Sequence, residues 1–326
     1  MGKRKKHGLR LLLAGIITAA YSALLTTGCA AEQENGTEQY RVTAILPTKN
    51  NGIYWKEVLD GIEEASVDEQ VDLGIIYTES YNNYPAIDLN SALEMTIFYQ
   101  ADAVIVSYSG EADERTDELL REAREKGIKI VMIDNDVPED LRDACVEIDN
   151  VDAGRELAQL ALDNTEENGT ALLIYSEKNI KMKNMALRRK GIEQVLREQG
   201  TKKLVLLSME DESEVHRSEM LREALEQNPK TDVIFTLTEG NTKMAVQSIS
   251  QYGLSDQVQV YGFDYTDETA DLMEKGKICV LIGQNQKQMG YESVKTAVKL
   301  LRGETCDQVF IAYQIYSDRI KENETQ

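Results

Sequence analysis

The stretch ADAVIVSYSGEADERTDELLREAREKGIKIVMIDND, residues 101–136, holds the unit from which the whole chain is built. ADAVIVS is an almost unbroken apolar run, as expected of a strand buried on both faces. A helical pattern follows over 112–126, and IKIVMID supplies the next apolar run. Strand, helix and strand joined by short polar turns predict a right-handed crossover onto a parallel sheet. The same alternation extends in both directions. Upstream stand RVTAILP with a helix over 53–66 and VDLGIIY with a helix over 85–99. Downstream come ACVEID and a helix over 151–164, TALLIYS and 184–199, KKLVLLS and 213–227, TDVIFTL and 242–252, QVQVYGF and 267–275, then KICVLIG. Nine or more parallel strands strain one sheet, so the chain is expected to form two doubly wound parallel-sheet α/β domains. No low-complexity linker parts them. Several short crossings are expected instead, with the final helix over 287–302 free to return to the first domain.

Composition narrows the function. The 326 residues carry a net charge of -21, and five of the 36 basic residues lie before Cys29, so the remainder sets 31 against all 57 acidic ones. A chain this acidic repels phosphate backbones, which argues against a nucleic-acid partner. His7 and His216 are the two histidines, and His216 falls on a charged helix face, so neither a Ser/His/Asp mechanism nor a His-rich metal site is supported. Cys29, Cys145, Cys279 and Cys306 are far apart and show no metal-binding or disulfide spacing. No dinucleotide, Walker or nucleophile-elbow motif occurs, and no cofactor or metal is expected.

The N-terminus is an export signal: MGKRKKHGLR is basic, LLLAGIITAAYSALL apolar, and TTGC places small residues before a cysteine. Residues 1–28 look like a lipoprotein signal peptide, with Cys29 the lipidated first residue and 29–39 a polar, flexible linker. The alternative is an uncleaved anchor through Leu9 to Leu25, a length at the short end of what spans a bilayer. Either places the body at the extracytoplasmic face of the cell membrane.

In open α/β sheets ligands sit beyond the carboxyl ends of the strands. There TKNNGIYW sets Tyr54 and Trp55 at the lip, where aromatic rings suit the apolar faces of sugars; one of the two could equally pack into the core. IDND and GFDY place Asp134 and Asp264 directly after apolar strands, as acceptors for a polyol or as helix caps. Gln284, in GQNQKQMGY, can donate and accept at once, or serve a hinge. MEDESE at 209–214 reads as an exposed helix start.

Five motifs, in order, give the chain a likeness. KNNGIYWKEVLDGIEEA, KGIKIVMIDND, VEIDNVDAGRELAQLAL, VYGFDYTDE and GQNQKQMGYESVKTAVKLLRGE, spread between Arg41 and Asp318, resemble the corresponding segments of ribose-type periplasmic binding proteins. The resemblance implies a first ligand-binding lobe of 40–148 with 285–312 and a second of 149–284 with 313–320. The crossings would fall near Ile148 to Asn150, Gln284 to Asn285 and Ala312 to Tyr313, and the lobes would close by a hinge. It places cleft residues at Thr48, Tyr54, Trp55, Asp134, Asn135, Ala186, Thr238, Asp264 and Gln284. Asn135 and Ala186 stand where ribose binders carry arginine, Arg188 keeps a neighbouring family arginine, and an aromatic expected near Glu212 is missing. The cleft should therefore be more negative than a ribose site, suiting another sugar, an amino sugar, an inositol or a cationic small molecule. The function implied is a monomeric solute-binding lipoprotein, not an enzyme, which hands a carbohydrate to the permease of an ATP-binding-cassette importer. A ligand sensor reporting to a membrane receptor such as a histidine kinase is the alternative.

Overall fold

The structure is a computed structural model, and it describes residues 39–47, 53–78, 87–108, 113–209 and 213–317. From Tyr40 onward the described residues pack as one unit carrying two sheets. The first sheet contains β1 (Arg41–Leu46), β2 (Asp72–Tyr77), β3 (Ala103–Val106), β4 (Lys129–Ile133), β5 (Ala144–Glu147) and β11 (Gln308–Phe310). The second contains β6 (Thr170–Tyr175), β7 (Lys203–Ser208), β8 (Thr231–Thr236), β9 (Gln259–Phe263), β10 (Val280–Gly283) and β12 (Gln314–Ser317). The strand orders, β2-β1-β3-β4-β5-β11 and β7-β6-β8-β9-β10-β12, are the same path drawn twice. The expected pair of doubly wound α/β domains is therefore present.

Hydrophobic continuity explains which strands lie inside. Every residue of β3, β5, β6 and β10 is buried, whereas the edge strands β2 and β7 have no fully buried residue. Between the strands run α1 (Ile53–Asp68), α2 (Leu89–Phe98), α3 (Glu114–Glu125), α4 (Asn150–Asp163), α5 (Lys183–Gln199), α6 (Glu214–Gln227), α7 (Glu239–Gln251), α8 (Asp267–Glu274) and α9 (Gln286–Leu301). Most start where a short polar side chain accepts a backbone N–H two or three residues into the first turn: Asp88, Asp113, Asp149, Ser213, Thr238 and Thr266 all do so. Among the described residues, no helix is long and apolar enough to cross a membrane.

Several expected boundaries change for stated reasons. The helix expected over 85–99 starts at Leu89, because the Asp88 carboxylate caps it. The helix expected from 242 starts at Glu239, because Thr238 caps it one turn earlier. The all-parallel expectation fails at the last strand, since β12 runs antiparallel to β10. The edge strands β11 and β12 were also illegible: QVF and QIYS are too short and too polar to stand out as buried runs.

The chain crosses between the sheets after β5, after β10 and between β11 and β12. Paired glycines set the helix spacing on both sides of the crossings. Where α1 meets α9, a Cβ on Gly61 would overlap the Lys287 carbonyl, and one on Gly290 the Val58 carbonyl. Where α4 meets α5, Gly154 and Gly191 make the same approach to the carbonyls of Arg188 and Val151. These four helices cover the faces of one apolar cluster that runs through both lobes, from Ile62 and Met289 to Ile192 and Phe263.

Candidate functional site

Two strands end in the same unusual way. Asp134, after β4, and Asp264, after β9, adopt left-handed backbone conformations with φ of 68° and 71°. Aspartate tolerates this region better than most residues, at a cost that the surroundings must offset. In each case the backbone N–H still donates to the neighbouring strand, Asp134 to Val146 O at 3.0 Å and Asp264 to Ile282 O at 2.9 Å. The sharp turn leaves both carboxylates beyond the strand ends, one from each lobe.

Tyr54 and Gln284 connect them. The Tyr54 hydroxyl lies 2.7 Å from Asp134 Oδ1 and 3.3 Å from Gln284 Oε1, and can donate to either. Gln284 Nε2 donates to Asp264 Oδ1 at 3.1 Å. Burial first, and then the charge of Asp134, raises the Tyr54 hydroxyl far above its ordinary value, so it stays a donor. Burial also pushes Asp134 above the usual carboxylate range, against the pull of Arg188 and the Tyr54 hydrogen bond.

Arg188 lies under this cluster and is fully buried. Its Nε donates to Asn150 Oδ1 at 2.9 Å and its Nη1 to Leu237 O at 3.0 Å, with Asp264 Oδ1 4.0 Å away. The guanidinium stacks 4.3 Å above the Phe263 ring, and Nη2 has no hydrogen-bond partner among the described residues. Asp264 also accepts from the Glu239 backbone N–H at 3.2 Å.

The remaining expected site residues are placed as follows. Trp55 meets Tyr54 edge to face at 5.0 Å and packs against the apolar cluster, the bland role allowed for one of the two rings. Asn135 is buried; its Nδ2 donates to Tyr108 O at 2.9 Å and its Oδ1 accepts from the Asn184 N–H at 3.3 Å. Thr238 caps α7 through its hydroxyl. Ala186 is exposed on α5, and Thr48, Glu212 and Cys29 lie outside the described residues. His216 is on the surface of α6, half exposed.

Sequence reading missed the head of α5 and the buried charges beside the first crossing. Asn184 Nδ2 reaches across the lobes to Asp134 Oδ2 at 3.3 Å, and Lys183 Nζ reaches Asp136 Oδ2 at 2.5 Å. Helical spacing was the available signal for Asn184, because it lies four residues before Arg188 on the same face. Asp136 is bound a second time by Arg142 Nε at 2.5 Å, and Arg142 continues to Asp307 beside β11. Burial alone would raise Asp136, but these two cations hold it below the usual carboxylate range. Next to it Glu147, at the end of β5, accepts from Gln308 Nε2 and Asn150 Nδ2, both at 2.8 Å. Burial, reinforced by Asp136 and Asp134, pushes Glu147 up to about 7. Ligand atoms of Asp136, Cys145 and Glu147 fall within 4.8 Å of one another, yet Asp136 is already shared by Arg142 and Lys183. The trio is better described as a charge-matched joint between lobes than as a cation site.

These features define a two-lobed binding module, and sequence comparison assigns it. Residues 42–305 match the periplasmic binding protein domain family, and the chain belongs to it, with the ribose-type, type I fold. The ribose import binding protein of Escherichia coli strain K12 is 21% identical over 278 residues, covering 84% of this chain and 89% of that one. A glucose-galactose binding protein, GanP, from Geobacillus stearothermophilus superposes with a TM-score of 0.74 at 21% identity, over 87% of this chain and 99% of its own. A XylFII–LytSN complex superposes with a TM-score of 0.70 at 21% identity, over 86% and 98%.

Proposed function

We propose that the protein is an extracytoplasmic solute-binding lipoprotein that holds a sugar or sugar-like polyol between its lobes and delivers it to an ATP-binding-cassette importer. The observation that carries the reading is the convergence of Tyr54, Asp134, Asp264 and Gln284 at the carboxyl ends of both sheets. Two carboxylates and an amide offer several acceptors and donors within one grip, the requirement for vicinal hydroxyls. On this reading Asp134 fixes the ligand from the first lobe, Asp264 and Gln284 complete the hold from the second, and Tyr54 supplies an aromatic face and a donor. Asn135 braces the turn beside Asp134, Thr238 caps α7 next to Asp264, Trp55 supports Tyr54, and lipid on Cys29 keeps the protein at the membrane.

Thermal unfolding of the soluble chain from Ala30 tests this against pentoses, hexoses, amino sugars, inositols, nucleosides and polyamines. A ligand at a hundred times its dissociation constant adds about 2.7 kcal/mol, or roughly 5 to 10 °C in midpoint. A sugar hit abolished by Asp264→Ala supports the assignment. Unchanged affinity in that variant sinks it, since losing a hydrogen bond to a charged group should cost on the order of 1 to 3 kcal/mol.

A sensor of the same fold is the second reading. It is favoured by the absence of arginine at Asn135 and Ala186, and by a structural relative solved as a complex with LytSN. Uptake of labelled ligand by membrane vesicles carrying the cognate permease separates the two, because a sensor supports none.

A further inference from the structure

In a doubly wound lobe the strands start, and the helices end, at one pole, while the ligand end is the other. At that far pole of the first lobe the chain emerges from its N-terminal segment into β1, and α1 and α2 terminate. Val67, Phe98 and Tyr99 stand there, 75%, 77% and 66% exposed, three of the four most exposed large hydrophobic side chains among the described residues. Phe98 and Tyr99 pair edge to face at 5.2 Å. The pair is fixed beside the point where the chain enters: Arg41 Nη1 donates to Tyr99 O at 3.1 Å, and the Arg41 N–H donates to Asp102 at 2.7 Å. A groove of about 490 Å³ runs alongside, lined by Arg41, Asp102, Lys126, Ile97 and Leu301.

We propose that this pole is a membrane-contact surface, in which Phe98 and Tyr99 enter the headgroup region of a phospholipid bilayer and Arg41 and Lys126 lie beside lipid phosphates. The inference rests on the lipid-anchor reading of Cys29. Ten residues, Ala30 to Gln39, separate that cysteine from Tyr40. They reach at most about 35 Å however they fold, so the anchor holds this pole close to the bilayer. Tyr99, with an apolar ring and a polar hydroxyl, favours that interface, and the exposed Phe98 ring beside it adds apolar area to bury there. Arg41 pairs with Asp102 at 3.8 Å and Lys126 with Glu122 at 2.8 Å, so in a chain of net charge -21 the carboxylates nearest the aromatic pair are offset by cations, and the contact is carried mainly by the apolar rings. A lipid tether alone leaves a protein free to tumble. A second contact beside it would stand the first lobe upright with its ligand end away from the membrane.

The test uses the full-length processed protein in phosphatidylcholine vesicles with brominated acyl chains, carrying Phe98→Trp, Tyr99→Trp or, as a control, Val215→Trp. Val215 is 70% exposed on α6 of the other lobe. Expected is flotation with the vesicles and at least a twofold quenching of the tryptophan at 98 or 99, with the one at 215 unquenched. Flotation with equal, weak quenching at all three positions overturns the contact surface while leaving the anchor intact. Failure to float overturns the anchor and the proposal with it. A blue shift at position 98 without lipid quenching assigns the pair to a protein surface and also overturns it.

Discussion

Asp134 and Asp264 end equivalent strands, β4 and β9, with nearly the same φ and the same backbone hydrogen bond to the next strand. Their side chains nevertheless live in different electrostatic surroundings. Asp264 faces a buried guanidinium at 4.0 Å and a backbone N–H at the start of α7. Asp134 is held at 2.7 Å by the Tyr54 hydroxyl and at 3.3 Å by Asn184, both neutral donors. Duplicated topology thus fixed where the two carboxylates stand, while the helices packed against each sheet decided how each charge is compensated. The second lobe neutralises its aspartate from within. The first lobe leaves part of that task to Asn184 of the other lobe, so the charge on Asp134 is coupled to closure.

The comparison breaks most severely if Arg188 can be removed without consequence. Arg188→Met should destabilise the protein by about 3 to 5 kcal/mol in urea unfolding, because it strands the Asp264 charge and the Asn150 carbonyl. Glu147 extends the comparison to a carboxylate at the hinge. Its folded value of about 7 lies above the ordinary ~4.3, so its contribution to stability is full below about pH 4.3 and is lost as pH rises through about 7. Glu147→Gln should flatten that dependence, gaining on the order of 3 kcal/mol relative to the native chain at pH 8 and little at pH 4. Unfolding curves of both proteins across this range check it. Next in size, Asp264→Asn should cost roughly 2 kcal/mol, since it leaves the Arg188 guanidinium facing a neutral partner, whereas Asp134→Asn should cost clearly less, because burial already disfavours the charge of that carboxylate. Equal costs would mean the two sites are not distinct. Smallest, Tyr54→Phe should lose about 1 kcal/mol, the worth of one neutral donor to a carboxylate, and should couple with Arg188→Met in a double-mutant cycle, because both side chains act on Asp134.

How much of this was readable differs by element. TALLIY and AVIV announce themselves because strands buried on both faces have no polar position to interrupt them. Asp134 and Asp264 were legible for the same reason, as carboxylates standing directly after such runs. Asn184 and Lys183 were not, since nothing in KNMALRRKG says that the head of α5 meets the other lobe. Glu147 was illegible too, because a carboxylate ending a buried strand reads as part of a polar turn until its two amide partners are seen.

Sequence alone determined the alternating architecture, its duplication, the family and the polar loops at the strand ends, because these depend on local hydrophobic pattern and on short motifs that survive folding unchanged. Tertiary structure alone decided the antiparallel last strand, the burial of Arg188 under both aspartates, and the joint of Lys183, Asp136, Arg142 and Glu147. These rest on contacts far apart in the chain, 47 positions for Lys183 and Asp136, 76 for Arg188 and Asp264 and 165 for Arg142 and Asp307, or on desolvation, and neither chain distance closed in space nor local dielectric is written in the order of residues.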